Sequence, residues 1–243
     1  MLVSNRYDFF FAYCGKLTAT VEHGSWNQVL KKKSTKGTQA AGPGDSGWQA
    51  RKSAATRDQI ISSAIRCIVE FSYSNTTMMK ISEKAGLSRG ATLHHFPSKM
   101  DIIRAVVDYL HDKQIQAFRR AIREIPADAD MAHLAVQAYS ANVNHPIYIA
   151  LFELSVAART DNELREILHP AQQAFDREWY ETAWDLFPEW QSDRRSFDLA
   201  LNLCQQLMEG MAISNLTHAR NYDKDQLLSY LEEKVRELRP SNP

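Results

Sequence analysis

From Ala54 onward the apolar residues recur with the 3.6-residue period of a helix, and no segment alternates in the two-residue manner of a half-buried strand. Ile60, Ile61, Ala64, Ile65, Ile68 and Val69 form one broad apolar face. Thr77 opens a short helix with Ile81 and Ala85 inward, and Gly86 suits its left-handed C-cap. Ser88 caps the next helix, which Pro97 stops after Phe96. Ser98 with Asp101 has the spacing of a capping box and opens a long amphipathic helix through Ile102, Val106, Tyr109 and Leu110. Further on, Asn144 and Pro146 start a helix ending near Arg159. Thr160-x-x-Glu163 reads as a second capping box for a helix that Pro170 should kink or split and that Pro188 ends. Ser192 or Asp193 caps a helix reaching about Ala219, and a last one covers 224–238. The expected fold class is all-α.

Charge is unevenly distributed although the chain is neutral overall. Residues 51–104 carry nine basic and four acidic side chains, whereas residues 105–243 carry 14 basic and 22 acidic. Either solvated charges cluster by chance, or a module that binds polyanions is joined to one that must not. Residues 1–53 sustain no period, hold Lys31-Lys32-Lys33 and a Gly/Ala/Ser/Thr-rich stretch, and are expected to be a flexible arm. The lysine run would track phosphates if the neighbouring module binds DNA; the alternative is a dispensable leader. The expected boundaries are 54–114 for a DNA-binding domain and 115–243 for a helical regulatory and dimerisation domain.

Residues 77–96 read as helix, glycine turn, helix, the geometry that lays a second helix in a major groove. With Phe96 inward, Leu93 and Thr92 lean toward the core, leaving Arg89, Gly90, Ala91, His94 and, at the margin, His95 outward. Gly90 and Ala91 lack bulk and would let the helix approach base edges, while Arg89 can reach guanine or phosphate. Adjacent histidines diverge by about 100 degrees on a helix, so His94 and His95 suit DNA better than a shared metal ion.

A helix-turn-helix pattern occurs in many small helical bundles. Here the agreement runs much longer, from Thr56 to Tyr109, through Arg57-x-x-Ile60-Ile61-x-x-Ala64, Ser88-Arg89-Gly90-Ala91 and His94-His95-Phe96-Pro97-Ser98-Lys99. Over these residues the chain resembles the tetracycline-repressor (TetR) family of bacterial transcriptional regulators. The resemblance implies a three-helix DNA-binding domain followed by a helical ligand-binding and dimerisation domain. It implies a phosphate contact from Thr77, base contacts from Arg89, Gly90, Ala91 and Thr92 on the helix that Ser88 opens, and base or backbone contacts from His94 and His95. Lys99 falls where a phosphate contact is usual. Two residues depart from the pattern: Ser72 stands where a glycine commonly ends the first helix, so a left-handed cap there would be strained. Leu93 stands where Tyr is frequent.

In the acidic part, the helix from 193 carries two apolar stripes. Phe197, Leu201, Cys204, Met208 and Met211 form one; Ala200, Leu203, Leu207 and Gly210 form the other. The second stripe meets a symmetry mate in one reading and the same subunit in another; the resemblance favours a homodimer. Relatives of this kind bind a small inducer, for which Tyr139, Tyr148, Phe152, Trp179, Trp184, Met208 and Met211 are candidate lining residues and also plausible core. Glu153, flanked by apolar residues, is expected to pair with an Arg, cap a buried network or orient a cationic or hydroxylated ligand.

Other classes find little support. No nucleophile elbow or phosphate loop occurs, and the chain is not expected to be an enzyme or to hold a metal or cofactor. Cys14, Cys67 and Cys204 are too far apart for a CxxC site. No apolar run approaches a membrane span and no leader peptide is recognised, so no membrane partner and a cytoplasmic location are expected. The expected function is a repressor that a small molecule releases from a pseudo-palindromic double-stranded operator. The alternative is a helical sensor or protein-interaction module that has lost DNA binding, which would have no reason to keep the basic block.

Overall fold

A computed structural model of the chain describes residues 45–123, 133, 136, 146–216 and 223–240. The described residues are all-α, without a strand. They divide into two compact units at Val106/Val107, eight residues before the expected boundary and inside a continuous helix.

Unit one begins with α1 (Asp45–Asn75), α2 (Met78–Ala85) and α3 (Arg89–His95), and takes the first turns of α4 (Lys99–Arg123). Helix α1 starts nine residues earlier than the period suggests, so 45–53 are helical; the rest of the expected arm lies outside the described residues. Its inward face is the expected one, with Ile60, Ala64, Cys67 and Ile68 fully buried and Ile61 and Ile65 nearly so. Ile81 and Ala85 from α2, Phe96, and Ile102, Ile103 and Val106 from α4 complete this core.

Each short helix is closed by its own side chains. The Lys80 amide donates to Thr77 Oγ1, capping α2. At its other end Gly86 takes φ 65°, with Gly86 N–H on Glu83 O and Leu87 N–H on Ser82 O, a Schellman turn. The expected capping box before α4 is present: Asp101 N–H donates to Ser98 Oγ while Ser98 N–H donates to Asp101 Oδ2. One residue carries strain. Ser72 interrupts α1 at φ 69°, ψ 165°, a region natural to glycine.

Unit two holds the rest of α4, α5 (Pro146–Ala158), α6 (Asn162–Leu186), a 3-10 turn (Pro188–Trp190), α7 (Arg194–Asn215) and α8 (Lys224–Leu238). Within it α5 packs on α6, α7 packs on α8, and the 3-10 turn touches both α6 and α7. Two expectations for α6 need correction. Its cap is Asp161, not Thr160: the Leu164 amide donates to the Asp161 carboxylate, a stronger acceptor, while the Thr160 hydroxyl turns back to Ala157 O. Pro170 does not split the helix. It lies on the exposed face beside exposed Glu166, whose carbonyl loses its helical donor and can be solvated.

Residues from every helix of unit two enter one core: Ile115 and Phe118 of α4, Tyr148 of α5, Trp179 and Ala183 of α6, Phe197, Ala200 and Met208 of α7, and Leu228, Leu231 and Val235 of α8. Aromatic rings carry much of it, with Phe118 and Trp179 centroids 4.3 Å apart and Trp184 edge-on to Phe197 at 5.0 Å. His111 of α4 stacks on Phe175 at 4.6 Å and leaves its buried Nε2 without a hydrogen-bond partner. Burial holds this imidazole's pKa below the ordinary histidine value, against the Gln172 hydrogen bond and the charges of Asp108 and Asp176.

Candidate nucleic-acid interface

Helix α3 is seven residues long, and its orientation is set by one small polar joint. Thr92 is fully buried, its hydroxyl donating to Ser88 O at 3.2 Å and accepting from the Ser82 hydroxyl of α2 at 2.9 Å. The joint locks α3 against α2 and fixes which residues point away. Arg89, Gly90 and His94 are exposed, while Ala91 and His95 are partly so. A Cβ placed on Gly90 would meet nothing within 4 Å, so that face of the helix is open.

The sequence reading put Thr92 among the base-contacting residues. The structure corrects this: a fully buried side chain committed to two hydrogen bonds cannot reach a base edge, and Thr92 is a positioning residue. Ser88 is exposed and its oxygen accepts from Ala91 N–H at 3.1 Å, which leaves the hydroxyl proton for an external acceptor. Thr77 stands in the same relation to α2, exposed and capping.

Lys99 has a partner that the sequence reading did not foresee. Its Nζ donates to Tyr73 O at 3.0 Å and lies 3.9 Å from the Tyr73 ring centroid. The ammonium thus helps cap the end of α1, where Tyr73 O also accepts from Thr76 N–H at 3.1 Å. Carbonyls in the last turn of a helix lack an intrahelical donor, which explains why a cation is held there.

A contact that the sequence reading missed ties α1 to the far end of α3. Arg57 Nη1 donates to His95 O at 2.7 Å, and its guanidinium stacks over the Phe96 ring at 4.1 Å. The signal in the sequence was an arginine one turn before the apolar face, but its partner is 38 residues away. The His94 and His95 rings meet edge-on at 5.4 Å, and among the described residues no group of three His, Cys, Asp or Glu could hold a metal ion. No described helix is long and apolar enough to cross a membrane.

Exposed Arg89, a side-chain-free Gly90, capping hydroxyls at two helix starts and exposed His94 are the polar groups that the two packed short helices of unit one leave to solvent. Such groups suit the phosphates and base edges of a major groove.

In unit two, Tyr148, Trp179 and Met208 are buried, with Phe152, Trp184 and Met211 packed against the same core; Tyr139 lies outside the described residues. Glu153 is partly exposed and is absent from that core. The acid whose charge reaches this group is Glu209: burial first, and then that carboxylate, push the Tyr148 phenol above its ordinary pKa. The second stripe of α7 is also corrected. Ala200 is buried within its own unit, Leu207 partly so, and the outward stripe is Leu199, Leu203, Gly210 and Ile213. These residues lie within about 80 degrees of one another on the helix, whereas Ala200 is rotated about 100 degrees from Leu199.

Comparison with known proteins agrees with this geometry. Residues 60–106, which span α1 to α4 of unit one, match the family model described as bacterial regulatory proteins, tetR family. The chain is 27% identical over 170 residues to an HTH-type transcriptional regulator of Mycobacterium bovis, covering 68% of this chain and 85% of that one. It is 25% identical over 189 residues to the HTH-type transcriptional repressor AcnR of Corynebacterium diphtheriae, covering 76% and 94%. A TetR family transcription regulator from Marinobacter aquaeolei shares the fold, with a TM-score of 0.59 at 12% identity over 78% of this chain and 98% of that one. Unit one is thus similar to the DNA-binding region of the tetR family of bacterial regulatory proteins, and the chain is a DNA-binding transcriptional regulator.

Proposed function

We propose that this regulator is a cytoplasmic, homodimeric repressor that reads a pseudo-palindromic operator with α3 and leaves it when a small molecule binds unit two. The observation that carries the DNA reading is the division of α3 into a locked and an open face. Thr92 is buried on the Ser82 joint, so Arg89, Gly90, Ala91 and His94 are presented together, with His95 at the edge. Arg89 is the base-reading candidate by chemistry, since a guanidinium matches guanine O6 and N7 in a bidentate pair. Thr77 and Ser88 supply hydroxyls for phosphates that set register.

A single seven-residue helix reads too few base pairs for an operator, so two copies are needed at a fixed spacing. The outward stripe of α7 supports self-association: Leu199 is 55% exposed and Ile213 is 52% exposed along one face of a single helix. Repression as the sign of regulation is supported by the relative named a repressor. Release by a ligand is supported by the aromatic and sulfur-bearing core around Tyr148, Phe152, Trp179, Met208 and Met211, with Glu209 rather than Glu153 as its orienting acid. Because α4 contributes residues to both units, a shift in its unit-two portion is felt by the portion beginning at Lys99.

Selection of bound duplexes from a random pool tests this reading. Enriched sequences should be two-fold symmetric, and the Arg89→Ala variant should change the preferred bases. A sequence preference untouched by that change would remove α3 from the reading role.

A further inference from the structure

Helix α1 extends well beyond the core it packs on. Every residue from Gly47 to Ala55 is exposed, two and a half turns of helix with no buried face among the described residues. Burial starts only at Ile60. A helical segment wet on all sides gains nothing from tertiary packing, so its role must lie in what it meets outside the subunit.

Its composition narrows what that is. Between Gly47 and Arg57 there are three basic residues, Arg51, Lys52 and Arg57, and no acidic one. Most of the others are small: Ala50, Ser53, Ala54 and Ala55 put no bulk between this helix and an approaching surface. An apolar partner finds only Trp48, 57% exposed with Lys52 Nζ 5.1 Å from its ring centroid. A polyanion finds mostly charge of the right sign, the nearest acids being Asp45 at the start of α1 and Asp58 just after Arg57.

Its location is fixed independently. The Arg57–His95 bond and the Arg57–Phe96 stack pin this end of α1 to the C-terminal end of α3. Arg51 precedes Arg57 by six residues, about 9 Å along a helix axis. Arg51 and Lys52 therefore lie between one and two turns N-terminal to the joint that ties α1 to α3.

We propose that residues 47–57 form a helical clamp on DNA phosphates flanking the bases read by α3, with Arg51 and Lys52 making the contacts. Arg57 belongs to the joint that aims the clamp. The proposal rests on α3 being the reading helix. The clamp adds affinity and no sequence preference, because phosphate contacts carry no base information.

The test uses the full chain with Arg51 and Lys52 both changed to Gln, which preserves helix-forming tendency and leaves Arg57 in place. Affinity for the selected operator is measured across salt concentration. Two subunits lose four phosphate contacts, so the slope of log affinity against log salt should become shallower by about 3.6. Between about 50 and 200 mM salt, the double variant should lose on the order of 100-fold less affinity than the parent protein does. Phosphate-ethylation interference should vanish at positions outside the half-site and persist inside it. An unchanged slope and unchanged flanking interference would overturn the clamp, even with Arg89→Ala still altering base preference. If Arg89→Ala altered nothing, the α3 reading would fall instead. Loss of dimers in sedimentation with an unchanged slope would make this helix a contact between copies and would also overturn the proposal.

Discussion

Replacing Ser72 with glycine should make this protein more stable. The residue sits at φ 69°, ψ 165°, where a Cβ crowds the backbone, and such positions cost about 1–3 kcal/mol in a non-glycine residue. Glycine removes that strain but frees the unfolded chain, which costs about 0.4–1 kcal/mol in return. It also removes the hydrogen bond in which Asn75 Nδ2 donates to Ser72 Oγ; at 3.4 Å in an exposed place, that bond contributes a few tenths of a kcal/mol at most. The backbone bond from the Thr76 hydroxyl to Ser72 O survives any side-chain change. The net expectation is about 1 kcal/mol of stabilisation, or roughly 2–4 °C in Tm for a chain of this size. Ser72→Ala is the control: it keeps the strain and loses the Asn75 bond, so it should be neutral or slightly destabilising. Urea titration of the three proteins, followed by far-ultraviolet circular dichroism, reads the order Gly above Ser, and Ser at or above Ala. A glycine variant no more stable than the alanine variant would refute the strained break at Ser72.

Thr92→Val should lower stability by about 0.5–1.5 kcal/mol, because the Ser82–Thr92 bond between α2 and α3 is lost while Ser82 keeps Met78 O and Ser88 O keeps the residue-92 amide, and should weaken binding to all DNA sequences alike. A change of base preference instead would return Thr92 to the groove. Leu199→Glu with Leu203→Glu should give a folded monomer in light scattering, whereas Ala200→Glu should unfold the protein, because only Ala200 is buried in its own subunit; dimers surviving the first pair would remove α7 from the interface. His111 has its pKa depressed by burial, so the native state resists a proton that the unfolded chain accepts. Stability is therefore full above about pH 6.5 and falls as pH drops through the window below it, and His111→Phe, which keeps the stack on Phe175, should flatten that part of a denaturation-versus-pH profile. Cys204, whose thiol is pushed up to about 12 by burial, should react with iodoacetamide at pH 8 far more slowly than a free thiol, because little of it is thiolate.

Local signals in the chain were sufficient for unit one. The period of α1, the glycine after α2, the hydroxyls before α2 and α3 and the Ser98–Asp101 box all act within a few residues, so sequence order and spacing determine them. The strain at Ser72 was legible only through the family resemblance, which places a glycine at this position, because a Cβ is disfavoured at positive φ. Helix starts were less legible: the exposed turns at 45–53 have no apolar stripe, and a stripe is what betrays a helix in sequence.

What lay beyond the sequence is everything that depends on rotation about a helix axis or on a distant partner. Periodicity says that α3 and α7 each have an inner and an outer face, but on a short helix a side chain near the boundary goes where its neighbours let it. Thr92 turned inward because Ser82, ten residues earlier, offered a hydrogen bond that water would otherwise supply. Ala200 turned inward and Leu199 outward because the aromatic cluster around Phe197 and Trp190 occupies one side of α7. Lys99 turned to Tyr73 O because the end of α1, 26 residues upstream in the chain, offered a carbonyl without its helical donor. The sequence by itself determined that the protein is helical, where its short helices stop and which of them is the candidate reader of DNA. Only the packed structure decided which atoms remain free to do the reading, because a hydrogen bond or a buried face is a property of two segments and each segment's own pattern describes one.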